Sequence, residues 1–207
     1  MVTTRYGLYG EYYGSPYNSS SPLTEEQMKI NATYIYNSLI NSGFTINSIC
    51  GMLGNMETES SINPGRWQSD RVGGEAEGHG YSLVQWTPYT KYTEWCFQNG
   101  YDDPSEMDSA LARINYEVLN NIQWLPTETY PYSFNDFKTS LQNPYDLALM
   151  FLANYERPLD PNQPIRGEQA LKWYNYLSGI TPSYHKKKPG FKWVLYANKL
   201  RNKFDKQ

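Results

Sequence analysis

The stretch Gly51-Met52-Leu53-Gly54-Asn55-Met56-Glu57-Thr58-Glu59-Ser60 places two carboxylates at the end of an apolar run. Ile49, Cys50, Leu53 and Met56 recur at helical spacing, which predicts a helix from about Asn47 to Glu59. Asn63-Pro64-Gly65 closes that region as a turn. Glu57 and Glu59 are two residues apart, about 200° around a helix, so they face nearly opposite ways. Glu59 follows Met56 by three and falls on the apolar side. It is the expected buried carboxylate, and Glu57 the expected solvated or salt-bridged one. The negative end of a helix dipole and apolar neighbours both disfavour the ionised form of a carboxyl placed there.

Further helices flank this one. Thr24 with Gln27 forms a capping box, and Glu25 and Glu26 suit the positive end of a helix that Gly43 stops. Later helices are predicted near 88–99, 104–122, 133–142, 144–155 and 165–178, the last stopped by Gly179. Residues 66–88 hold Gly73, Gly74, Gly78 and Gly80 and predict an irregular or hairpin lobe with at most short strands. The expected fold is mainly α, a helical bundle with one small β-hairpin or irregular lobe. Residues 1–22, rich in Tyr, Gly, Ser and Pro, are expected to be an extended or disordered arm. Residues 23–180 form the expected folded domain. Residues 181–207 form an expected basic tail, with eight Lys/Arg against one acid from 185 onward.

Composition excludes several classes. At 207 residues the chain fits one domain with appendages. Its longest apolar run, Leu147 to Tyr155, is far short of the ~20 residues of a membrane span. The opening MVTTRYGLYGEYYG has no apolar core, so no secretory signal is expected. An acidic body with a basic tail argues against nucleic acid as the main ligand. There is no CxxC, and His79 and His185 are far apart, so neither a metal site nor a cofactor is expected. A Cys50–Cys96 disulfide is the less favoured reading, because Cys50 sits among apolar helix positions where a buried free thiol is common. The 20 Tyr, 6 Trp and 7 Phe suit either an aromatic core or sugar-stacking surfaces.

A carboxyl that keeps its proton near neutral pH is what glycosidic cleavage needs, since the leaving oxygen must be protonated. The segment Gly80-Tyr81-Ser82-Leu83-Val84-Gln85-Trp86 follows Glu59 by about 25 residues. An apolar helix ending in Glu-Ser, followed by Gly-x-x-Leu-x-Gln, resembles goose-type lysozymes and lytic transglycosylases. The strings ICGMLGNMETESSINPGRWQ, YSLVQWTP and FLANYERPLDPNQPIRGEQALKWY make the phage tail lysozyme family the closer resemblance, over roughly residues 24–178. That resemblance implies a lysozyme-like α+β fold, with the small lobe flanking a cleft, and cleavage of the β-1,4 bond between N-acetylmuramic acid and N-acetylglucosamine. Peptidoglycan would be the substrate and other phage tail proteins the partners. The setting would be a virion tail that opens the wall during genome delivery. It makes Glu59 the catalytic acid, lines the cleft with Gln85 and Trp86, and sets Tyr155 near the reaction centre. Ser82 stands where many relatives have Gly.

Asp70 and Glu75 in the glycine-rich lobe are the expected second carboxylate, with Glu77 a third candidate. Trp67, Tyr81 and Ser60 complete the expected substrate contacts. For Trp67 and Trp86 core packing is the rival reading, and for Ser60 a bond to backbone. Glu156 and Arg157 are expected to form a buried pair, and His79 to be exposed. Three other functions stay open: a transglycosylase giving 1,6-anhydro products, a holin-released endolysin, and a wall-binding tail component that does not cut.

Overall fold

A computed structural model describes residues 1–73 and 78–183. Glu75, Glu77 and the basic tail from residue 184 onward lie outside the described residues. The molecule is a helical assembly with one small antiparallel sheet among the described residues. Helix α1 spans Glu25–Asn41, and the Thr24–Gln27 capping box forms as expected. Helix α2 spans Ile46–Ser60 behind a Thr45 cap, whose hydroxyl accepts from the Ser48 amide at 3.1 Å. Residues 48–56 of α2 are buried on every side, not along one stripe. A helix apolar all round belongs at the centre of a bundle, and α2 is the axis of this one.

Four helices pack around that axis: α1, α5 (Phe134–Thr139), α6 (Pro144–Phe151) and α7 (Ile165–Leu177). Two glycines set how closely they approach. A Cβ at Gly51 would lie 2.9 Å from Leu147 Cβ on α6. A Cβ at Gly54 would overlap the carbonyl oxygen of Arg166 and lie 2.9 Å from the Ala170 nitrogen on α7. The backbones can pass this closely only because neither position carries a side chain.

Helices α3 (Thr90–Gln98) and α4 (Met107–Asn120) complete the bundle. Helix α4 begins later than the sequence predicts. Asp103 is taken up by Arg5 at 3.1 Å and by the Ser105 amide at 2.8 Å, which holds residues 103–106 in a turn.

The N-terminal segment corrects one expectation. It contains a regular hairpin, with β1 (Thr3–Gly7) paired antiparallel to β2 (Gly10–Gly14). Among the described residues the sheet lies here, and the 66–88 lobe shows only the isolated bridges Trp67–Tyr81 and Tyr81–Trp86. Side chains from elsewhere fasten the hairpin. Asn31 of α1 accepts from the Tyr13 amide and donates to its carbonyl, both at 2.7 Å, and donates to Ile62 at 2.8 Å. Asn63 accepts from the Ser15 amide at 3.1 Å and donates to the Ser15 hydroxyl at 3.0 Å. The buried Tyr12 packs edge-on to Tyr34 of α1, whose hydroxyl donates to Asp108 at 2.6 Å. Ordering comes from these long-range bonds.

Cys50 and Cys96 are free and buried, so no disulfide joins them. Burial pushes the Cys50 thiol up and the Cys96 thiol up to about 12. No helix among the described residues is long and apolar enough to cross a membrane.

Two outcomes follow from this packing. In a helix, Gly54→Ala should gain about 1 kcal/mol of propensity. Overlap with α7 backbone should outweigh that gain and leave a net loss of roughly 1–3 kcal/mol, read as a lower urea midpoint. A midpoint unchanged or raised would contradict the close α2–α7 contact. A thiol reagent should label neither cysteine in the native protein and two thiols after denaturation; rapid native labelling would show that the thiols are not shielded.

Candidate active site

The last turn of α2 carries Glu57, Thr58, Glu59 and Ser60. The helix stops because Ser61 and Ile62 both adopt left-handed backbone, at φ 54 and φ 53. Their amides still satisfy late carbonyls, Ser61 to Glu57 at 3.0 Å and Ile62 to Met56 at 3.2 Å. A β-branched residue rarely takes that conformation, and Ile62 is held in it by full burial and by the Asn31 bond. The Ser60 hydroxyl donates to Met56 within the helix and to Leu83 in the lobe, both at 2.9 Å. Ser60 is thus buried and joins the lobe to the helix end through backbone bonds.

Glu59 meets a guanidinium. Arg166 Nη2 donates to Glu59 Oε1 at 2.6 Å. The other Arg166 nitrogens are also engaged, Nη1 with the Asn55 side-chain oxygen at 3.2 Å and Nε with Gln163 at 2.7 Å. The Arg166 side chain is 4% exposed and that of Glu59 22% exposed, so the pair reaches the surface only on the carboxylate side. The sequence reading named only apolar neighbours for Glu59 and did not foresee this arginine. The burial ranking of the two carboxylates is also corrected, because Glu57 is 15% exposed. It is salt-bridged as expected, to Lys172 at 2.6 Å, and accepts from the Trp173 indole at 2.8 Å. Helix α7 covers both carboxylates at once, which a single-helix projection cannot show.

A second carboxyl stands close by. Helix α6 runs on into a π-helical turn, Leu152–Glu156, that ends at Arg157 with φ 52. The turn corrects the expected Glu156–Arg157 pair. Left-handed backbone sends Arg157 outward, where its Nη1 donates to the carbonyls of Asn154, at 2.9 Å, and Gln123. Glu156 is turned inward, and its Oε1 is buried with no hydrogen-bond partner among the described residues. Burial and the neighbouring Glu59 hold its carboxyl well above the usual range, against the pull of Arg166.

Glu117 of α4 is a third, fully buried carboxylate that the sequence reading missed. It accepts from the Trp86 indole at 3.0 Å, from Arg113 Nε at 2.8 Å and from the Tyr155 hydroxyl at 2.5 Å. Burial raises its pKa, and Arg113 opposes the rise. A signal was present: Ala110, Arg113, Ile114 and Glu117 share one helical face, so two opposite charges occupy core positions. Arg166 had one too, a cation in the first turn of a helix, where the dipole disfavours it.

The expected sugar-contacting rings lie in the core. Trp67 and Tyr81 are fully buried, with ring centroids 4.4 Å apart, and the Trp67 indole donates to Tyr17 at 2.7 Å. Trp86 stacks on Tyr92 at 4.4 Å, and Tyr155 on Phe151 at 4.4 Å. These four side chains take the core-packing role. Gln85 is half-buried, and its amide nitrogen donates to Arg66 at 3.1 Å and Ser82 at 2.9 Å. Ser82 has φ 74, backbone that glycine adopts more easily. Asp70 pairs with Arg66 at 2.8 Å and accepts from Ser20 at 2.6 Å, and neither of these is a partner of Glu59. His79 is half-buried, not exposed. The structure thus gathers Glu59, Glu156 and Arg166 in one place and Trp86, Tyr155 and Glu117 just beneath. Among the described residues, no group of three or more His, Cys, Asp or Glu is placed to hold a metal ion.

Comparison with known proteins bears on these residues. The phage tail lysozyme family matches residues 30–177, a span that includes Glu59, Glu117, Glu156 and Arg166. Morphogenesis protein 1 of Bacillus phage B103 is 48% identical over 163 residues, which is 79% of this chain and 43% of that protein. The chain therefore spans less than half the length of that relative. It is a member of the phage tail lysozyme family.

Proposed function

We propose that the chain cleaves the β-1,4 bond between N-acetylmuramic acid and N-acetylglucosamine in peptidoglycan, with Glu59 as proton donor to the leaving oxygen. The observation that carries this reading is the position of Glu59. Its carboxylate is partly exposed, at the end of the central helix, and is paired with the buried Arg166. A developing oxocarbenium ion and a departing sugar oxygen need an acid on one side of the bond. A carboxyl that is open on one face and braced by Arg166 behind can offer it. Arg166 fixes the direction of the carboxyl. As the donor forms, the ion pair loosens and the carboxyl takes up its proton.

The aromatic core supports the site from below. Glu117 holds Trp86 and Tyr155 together, so the two segments most like the family's cleft walls are fastened to one buried anion. Sugar contacts would then fall to side chains outside this core. For the second catalytic group the candidates are Asp70, whose side chain is 44% exposed and held by Arg66 and Ser20, and Glu75. The relative's name, a morphogenesis protein, together with the tail lysozyme family, supports a virion tail component that opens the wall locally during genome delivery.

General acid catalysis contributes about 10²–10⁴ in rate. Glu59→Gln should therefore lower the clearing of purified cell wall by at least ~100-fold in a protein that still folds, as circular dichroism would show. Equal clearing by wild type and variant would refute the assignment. Mass spectrometry of the digest should show reducing-end muramic acid; reducing-end glucosamine would place the cut at the other bond, and a 1,6-anhydro sugar would mean transglycosylation.

A further inference from the structure

We propose that Glu156 is the positioning residue of this site: it shares one proton and one guanidinium with Glu59 and so sets when Glu59 can act as an acid. The proposal rests on the reading of Glu59 as proton donor and goes beyond it.

The geometry comes first. Helix α6, whose π-helical extension carries Glu156, packs against both α2, which carries Glu59, and α7, which carries Arg166. The Glu156 carboxyl feels the charges of both Glu59 and Arg166, and its Oε1 is buried without a hydrogen-bond partner among the described residues. Unpartnered buried polar atoms are rare in folded proteins and call for an explanation. Here the neighbours supply one. The groups that bear on Glu156 are Glu59 from α2, Arg166 from α7, Glu117 from α4, and Tyr155 and Arg157 from its own segment. Arg113 neutralises Glu117 through their 2.8 Å bond, and Arg157 is exposed. That leaves one buried guanidinium, Arg166, for two carboxyls.

Charge balance then fixes the proton count. Two carboxylates beside one buried cation leave an uncompensated buried negative charge, which is costly. With one proton on the pair the cluster is neutral. In the resting structure Arg166 is bonded to Glu59, so the proton resides on Glu156. Transfer is balanced: Glu156 gives its proton and becomes a carboxylate, Glu59 accepts it and becomes the neutral acid, and Arg166 exchanges one anion for the other. Substrate that displaces Arg166 from Glu59 would drive this exchange, and Glu59 would carry its proton only when a sugar oxygen is there to receive it.

The pH dependence of activity tests this. In the wild type the negative charge left on one carboxyl holds the last proton on the pair, so acid activity persists as pH rises. Glu156→Gln removes the competing carboxyl and leaves Glu59 facing Arg166 alone. The alkaline limb of the activity profile should then move acidward by roughly one pH unit or more. Glu156→Asp keeps an ionisable group and should hold the limb near its wild-type position. A limb that stays in place in Glu156→Gln, or moves to higher pH, overturns the proposal, whatever happens to the plateau rate.

A second measurement covers the case in which the glutamine variant does not fold. Carboxyl carbon NMR of the wild-type protein should show Glu156 still protonated well above the ordinary glutamate range near ~4.3, with a titration that changes when Glu59 is replaced. Titration of Glu156 together with the exposed glutamates would overturn the proposal. The two readings fail separately. A fully active Glu59→Gln defeats the assignment of the acid, whereas an inactive Glu59→Gln with an unmoved limb in Glu156→Gln defeats only the role of Glu156.

Discussion

The close passage of α7 across α2 at Gly54 is the constraint on which the site depends. The Arg166 carbonyl lies where a Cβ of residue 54 would be. With the backbones that near, the Arg166 side chain leaves α7 directly beside Asn55 and Glu59 and has room for little else. Gly51 does the same for α6, one helical turn earlier. That helix then continues into the π-helical turn that carries Tyr155 and Glu156. Each helical glycine forfeits about 1 kcal/mol against alanine. The return is two close helix contacts that bring an arginine and a second glutamate to the end of the same helix.

Two buried charged clusters meet at that π turn. One is Glu117 with Arg113, Trp86 and Tyr155; the other is Glu59 with Arg166 and Glu156. Buried ion pairs are poor sources of net stability, because desolvation offsets their attraction. They are effective at fixing side-chain direction, since leaving either partner alone in the interior is costly. The first cluster therefore sets the aromatic floor, and the second holds a carboxyl with one open face. π-helical turns recur at functional sites, because the extra residue redirects side chains that an α-helix would carry elsewhere. Here the redirection separates Glu156 from Arg157 and turns the glutamate inward.

What could be read in the sequence was what local rules govern. The Thr24 box, the Pro144 start and the helical periodicity of residues 46–60 gave the helices their positions, because caps and periodicity act within one or two turns. The hairpin at 3–14 was missed because its order comes from Asn31, Asn63 and Asp108, far away in sequence. The aromatic residues of the lobe were read as candidates for sugar stacking. Core packing, the rival reading for Trp67 and Trp86, is what the structure shows, with Trp67, Tyr81 and Trp86 buried together and Trp86 stacked on Tyr92 of α3. The order of burial of Glu57 and Glu59 was inverted because it depends on α7, which covers Glu57 with Trp173 and Lys172. Resemblance singled out Glu59, but the arginine and glutamate that surround it emerged only from the packing of three helices.

The most direct test of the account is a crystal structure of the Glu59→Gln protein with a bound peptidoglycan glycan strand. The account predicts a bridging glycosidic oxygen within about 2.6–3.2 Å of the residue 59 side chain. It also predicts Arg166 turned away from that side chain, toward Glu156. A strand seated elsewhere, with residue 59 untouched and Arg166 still bonded to it, would contradict the account.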